Sequence, residues 1–261
     1  MVVLTELVKS FSCLLKPHSQ AQIVLDFLKN DEQVTALLSA SNSVAIQRLG
    51  YTDHGITHAH IASYNAAKML ILLNQKKIQP SLVTESNLIS FEDSLEVVIA
   101  AAYLHDIGNA VMRAQHELFS MVLSREIINR LYKKSTEITE RKKATIMEGI
   151  IAHMGNYPAT SLESKVVSVA DACDMEKGRA RIPYSLGKKD IHSLSALSIK
   201  TVRVRAGTKK PLAIHVEMDT STGIFQVEEL LIKKIKAASF EQYVEINAYI
   251  HDRNETIAYL E

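Results

Sequence analysis

Six residues able to bind a metal stand on the apolar stripes of five separate segments: His58, His105 with Asp106, His116, His153 and Asp171. Each alone is a polar group carried into a core, where an unpartnered imidazole or carboxylate is costly. A divalent cation shared between the segments satisfies all of them at once. Imidazole nitrogens mixed with carboxylate oxygens suit Mn, Fe, Ni, Co or Zn better than an oxygen-loving Mg site. The expected cofactor is therefore one or two divalent transition metals.

The elements that must carry these groups are helices. Leu95, Val98, Ile99 and Ala102 recur at i, i+3, i+4 and i+7, and that stripe runs into His105 and Asp106. Gly108 lets the chain turn out of this helix, and Ser90-Phe91-Glu92-Asp93 reads as a capping box that opens it. An earlier helix running to about Leu73 has His58, Ile61, Ala62, Asn65 and Met69 on its inward face. His54 lies one turn before His58, and His60 is rotated about 200° from it, which predicts exposure of His60. Three more helices follow. One starts near Gln115 with His116, Phe119, Ser120, Leu123 and Ile127 inward; one spans about 144–154 and ends at His153; one spans about 162–176 and carries Asp171 and Asp174. Residues 75–91 read as a loop, and residues 1–50 as short helices without evident chemistry.

The C-terminal part has a different pattern. Thr201 to Arg205 and Leu212 to Met218 alternate with period two, as strands do. An amphipathic helix is expected over about 225–238 and a third strand over about 243–249. This predicts a mainly α chain: a helical bundle domain over 1–190, with its core in 50–185, and a small α+β appendage of β-β-α-β order over 195–261, its sheet antiparallel.

The chain has 261 residues, is 47% apolar and 23% charged, and carries a net charge of +1. That composition fits a globular core and argues against a broad polyanion-binding surface. Nucleic acid is not an expected partner. Lys209, Lys210, Arg203 and Arg205 are the only support for RNA binding, and their strands lack the aromatic residues that stack bases. Cys13 and Cys173 are far apart and form no ligand pair, which fits a reducing compartment. No apolar run is long enough to span a membrane and no signal peptide is evident, so a cytoplasmic location is expected. The open sheet edge suggests a homodimer contact.

The order of these residues resembles the HD superfamily of metal-dependent phosphohydrolases. Its signature is a His, a His-Asp doublet and a later Asp. The matches are His58 in His58-Ala59-His60-Ile61-Ala62, the doublet in Leu104-His105-Asp106-Ile107-Gly108, and Asp171 in Val169-Ala170-Asp171. His116, in a His-x-x-x-small pattern with Ser120, and His153 match two further histidines of binuclear members. The resemblance covers roughly 50–185 and is strongest to uncharacterised archaeal HD proteins with a C-terminal α/β extension. The cyclic-dinucleotide branch carries a Lys after the doublet's Gly and a Gly-Tyr-Pro signature; here Asn109 and Asn156-Tyr157-Pro158 stand in those places.

The resemblance implies hydrolysis of a phosphomonoester or phosphodiester in a small substrate, a nucleotide, through a metal-activated water. It implies Asp106 as the bridge between two metals. If His116 or His153 is not a ligand, the site holds one metal and the spare imidazole serves as the acid; His54 is a second acid candidate. Arg113, Lys177, Arg179 and Arg181 are the candidate phosphate-binding cations, with Asp174 a possible ion-pair partner of the latter arginines. The alternatives are a nucleotide pyrophosphate or dNTP-type hydrolase, and a non-catalytic nucleotide sensor that holds a metal.

Overall fold

The computed structural model describes residues 2–178 and 191–260. Helices α1 (Val2–Leu14), α2 (Ser19–Asn30) and α3 (Glu32–Asn42) come first, and α3 runs on into a π-helical turn at Ser43–Arg48. Then follow α4 (Ile56–Gln75), a short α5 (Ser81–Glu85), α6 (Phe91–Leu104), a 3-10 turn (Ile107–Ala110), α7 (His116–Leu131), α8 (Glu137–Ala152), α9 (Leu162–Ala172) and α10 (Ile191–Ser198). The centre is α6. It is buried from Ser94 to Leu104, with α2, α4, α8 and α9 packed around it. A helix apolar on every side requires such a position. Its start is the capping box expected from sequence: the Ser90 N–H donates to Asp93 Oδ2 at 2.9 Å.

The stretch expected as loop contains α5, whose Leu82 is buried. A buried carboxylate explains why this segment is ordered. Glu163 of α9 accepts from the Ser81 and Leu82 N–H groups at 3.0 and 3.1 Å and from Ser94 Oγ at 2.8 Å. One side chain thus ties α5 and α6 to α9, the helix that carries Asp171.

The C-terminal sheet has the order β1 (Ile199–Ala206), β2 (Leu212–Met218), β3 (Val244–Ile250), β4 (Glu255–Tyr259). The expected β-β-α-β succession is present, but the sheet is mixed rather than antiparallel: β2 and β3 run parallel. Parallel neighbours need a crossover. The helical run α11 supplies it in three pieces, Ile224–Gln226, a π-helical Val227–Ile232 and Lys233–Ala237. The short, largely exposed β4 adds a fourth strand antiparallel to β3. α11 packs against α9, and β1 against α4, so the sheet adjoins the same helices that carry the chemistry.

Candidate metal centre

The six residues meet at one point because five helix ends converge there. His58 is in the first turn of α4, His105 caps the C-terminus of α6, and Asp106 opens the 3-10 turn. His116 is the first residue of α7, His153 caps the C-terminus of α8, and Asp171 is in the last turn of α9. All six are buried. The approach of α7 depends on Gly108: an added Cβ would lie 2.1 Å from the His116 carbonyl oxygen and 2.4 Å from Ser120 N. Ser120 is the small residue of the His-x-x-x-small pattern, and its Oγ accepts from Gly108 N at 2.8 Å. Ser41 Oγ of α3 donates to the Asp106 and Ile107 carbonyls at 3.2 and 3.1 Å, holding the turn from its other side.

Each histidine has one ring nitrogen committed away from the centre. His58 Nδ1 donates to Asp174 Oδ2 at 2.6 Å, His105 Nδ1 to the Ala102 carbonyl at 2.8 Å, His116 Nδ1 to the Arg113 carbonyl at 3.1 Å, and His153 Nδ1 to the Ile150 carbonyl at 2.7 Å. A nitrogen facing a carbonyl or carboxylate carries the proton, so in the neutral ring Nε2 presents its lone pair. Those lone pairs face one another. The Nε2 atoms of His58 and His105 are 3.1 Å apart, as are those of His116 and His153. Carboxylate oxygens close the ring: Asp171 Oδ1 lies 3.1 Å from His58 Nε2 and 3.5 Å from His105 Nε2.

Asp106 stands between the two pairs. Its Oδ2 is 3.3 Å from His58 Nε2 and 3.4 Å from His105 Nε2; its Oδ1 is 3.1 Å from His116 Nε2 and 3.8 Å from His153 Nε2. A cluster of facing acceptors repels itself and is satisfied by cations. The donor set, the fixed tautomers and the burial all fit divalent metal ions.

The electrostatics follow from the crowding. Burial opposes ionisation of Asp106, yet His105 and His54 beside it hold its carboxyl well below the usual range. Asp171 is likewise buried and is held well below that range by Lys234 and His105. Burial, with Lys234 and the other imidazoles crowded against it, pushes His153 well below the ordinary imidazole value, which favours the neutral ring that ligates.

The remaining candidates are divided. His54 is buried, with Nε2 4.0 Å from Asp106 Oδ2 and Nδ1 2.6 Å from the Thr52 carbonyl. Arg113 Nη1 donates to Asn109 Oδ1 at 3.1 Å, and Asn109 Nδ2 donates to Asp106 Oδ1 at 3.0 Å. Arg113 is thereby one residue removed from the centre. Lys177 is not brought to it: its ammonium is exposed and pairs with Asp219 at 3.3 Å. Arg179 and Arg181 lie outside the described residues.

One expectation from periodicity needs correction. His60 is buried, only 4% exposed, because α4 is covered by α1, α6, α9 and β1 and its outer face also meets protein. The His60 ring packs against Tyr103, centroid to centroid 5.2 Å. Asp174 orients His58, while its expected pairing with Arg179 or Arg181 falls on arginines outside the described residues.

Sequence reasoning missed Lys234. It sits in α11 within Lys233-Lys234-Ile235-Lys236, a run that reads as a solvated face. In the structure it is buried and its ammonium bonds Asp171 Oδ2. It also missed Asn109, noted in the sequence only as a departure from the cyclic-dinucleotide pattern.

The HD domain family matches residues 55–176, an interval containing all six convergent residues. An uncharacterized protein of the archaeon Methanocaldococcus jannaschii is 41% identical over 231 residues, which is 88% of this chain and 89% of the relative. No solved structure gives a significant match. The likeness to the archaeal protein extends beyond the helical core to most of the chain. With the ordered His, His-Asp and Asp at one buried point, it establishes that this chain belongs to the HD-domain family, a superfamily of metal-dependent phosphohydrolases.

Proposed function

We propose that the protein hydrolyses a phosphomonoester or phosphodiester, in a nucleotide, at a centre of two divalent transition metals. The observation that carries this reading is Asp106, whose two oxygens face two different histidine pairs, as a bridging ligand would. His58, His105 and Asp171 would hold one ion and His116 and His153 the other, with Asp106 shared; Mn, Fe, Ni, Co or Zn suits this set. Bound there, such ions neutralise charge on the phosphoryl oxygens and lower the pKa of the attacking water.

The protein's own groups do the rest. Asp174 and the Ala102, Arg113 and Ile150 carbonyls hold the four imidazoles in the ligating tautomer. Asn109 donates to Asp106 and fixes the plane of its carboxylate. As the imidazolium, with its Nδ1–H kept on the Thr52 carbonyl, His54 hands its second proton from Nε2 to the leaving oxygen and is left neutral. Arg113, held by Asn109, supplies a planar cation to the substrate phosphate. His116 serves as a ligand rather than as the acid, because its Nε2 faces Asp106 and His153.

The test is elemental analysis of freshly purified protein, wild type against Asp106→Ala, followed by a phosphoester panel with Mn, Ni and Co. About two metals per chain in wild type, lost in the variant, together with metal-dependent turnover, is the expected result. No metal even after reloading overturns the reading. Metal and nucleotide bound without turnover across the panel would favour a sensor.

A further inference from the structure

Lys234 differs from every other group at the centre in its origin. The convergent ligands and Asp174 lie within residues 55–176, whereas Lys234 comes from the crossover helix of the C-terminal sheet. Its residue is 9% exposed. Its ammonium bonds Asp171 Oδ2, while Asp171 Oδ1 turns to His58 and His105. The cation thus stands beside the Asp171 carboxylate, near enough to His153 for its charge to act on that imidazole.

An ammonium carries three N–H donors. Among the described residues Asp171 is the one acceptor Lys234 has. Burying a lysine is costly unless its charge is paired and its donors are used. One carboxylate oxygen meets the charge and one donor; two donors are left beside the ligand ring, on a side chain only 11% exposed. Lys177, the nearest described basic residue after Asp171 in sequence, is committed to Asp219. Arg113 reaches the centre by a different route, through Asn109 and Asp106.

We propose that Lys234 is a substrate-binding residue, donating from its ammonium to a phosphoryl oxygen, so that the C-terminal sheet completes the active site. This rests on the phosphohydrolase reading above. A phosphoryl group at the centre is then gripped between Arg113 on the Asp106 side and Lys234 on the Asp171 side. The competing account makes Lys234 a strut that only keeps Asp171 monodentate. The two differ in what its removal weakens: phosphate binding in the first, metal binding in the second.

The experiment loads full-length wild type, Lys234→Met and Lys234→Arg with Co(II), counts metal per chain, and titrates inorganic phosphate by calorimetry and by the visible Co(II) spectrum. Lys234→Gln stands in if methionine prevents folding, as judged by circular dichroism. The expected result is unchanged metal content, phosphate affinity reduced about tenfold or more in Lys234→Met, the range set by losing one charge-assisted hydrogen bond, and partial recovery in Lys234→Arg. Phosphate affinity equal to wild type in every variant overturns the proposal and leaves the hydrolase reading standing. So does metal loss in Lys234→Met when the remaining loaded sites bind phosphate normally. Wild type that holds metal but ignores phosphate overturns both.

Discussion

The tautomer of each imidazole is decided by what its Nδ1 meets. Three of the four meet backbone carbonyls at helix C-termini or a turn, acceptors that no side-chain substitution removes. His58 alone depends on a side chain, Asp174. Carboxylate partners of this kind raise a ligand's basicity and fix its ring, and their loss typically costs about 10–100-fold in metal affinity. Asp174→Ala is therefore expected to weaken metal binding within about that range while Asp174→Asn, which keeps an acceptor oxygen, stays near wild type. Competition against a chelator measures both; equal affinity in Asp174→Ala would show that His58 needs no such partner.

Elements matter here chiefly at their ends. α6, α8 and α9 bring His105, His153 and Asp171 from their C-terminal turns, α4 and α7 bring His58 and His116 from their first turns, and the connections set how those ends meet. The link from α8 to α9 is pinned by Glu148, whose Oε1 accepts from Thr160 N at 2.7 Å, Thr160 Oγ1 at 2.6 Å, Ser161 N at 2.9 Å and Ser164 Oγ at 3.0 Å. Burial works against its charge, yet the bonds from Thr160 and Ser161 hold its carboxyl below the ordinary range. A depressed folded-state pKa contributes stability above the unfolded value, and that contribution is lost as pH falls through the folded value. Glu148→Gln is expected to cost about 1–2 kcal/mol at pH 7, with the gap in Tm to wild type narrowing below about pH 4. Thermal unfolding across pH 3–7 checks this, and a gap independent of pH would mean that the charge contributes nothing.

At the scale of the molecule, the helices bury a ring of acceptors whose mutual repulsion opposes their own packing, and cations reverse that. A ligand that binds only the folded chain stabilises it by about 2.7 kcal/mol at a hundredfold excess over Kd. For a chain of this size that corresponds to a rise in Tm of about 5–10 °C. Adding Mn(II) or Co(II) to chelator-treated protein should produce it, and Asp106→Ala should abolish it. A wild-type Tm indifferent to metal would show that the acceptors do not act together. The crossover helix of the sheet lies against α9 and delivers Lys234 to Asp171, so the sheet has a direct hold on the site and is more than an appendage beside it.

What the sequence determined by itself was local in origin. Helical periodicity placed His58, His105, Asp106, His116, His153 and Asp171 on inward faces, Ser90 and Asp93 announced their capping box, and period-two alternation marked β1 and β2. Each follows from one chain segment and its own repeat. The tertiary structure decided whatever depends on how many neighbours a segment has and which they are. His60 is buried because α4 is covered on more than its apolar stripe. β2 and β3 run parallel because the intervening helix crosses over the sheet, a direction that no strand encodes in its own alternation. Lys234 reads like the lysines beside it, yet the packing of α11 on α9 carries its ammonium to Asp171 across a separation of 63 residues. Charge on a helix face looks the same in sequence whether water or a carboxylate awaits it; only the fold supplies the partner.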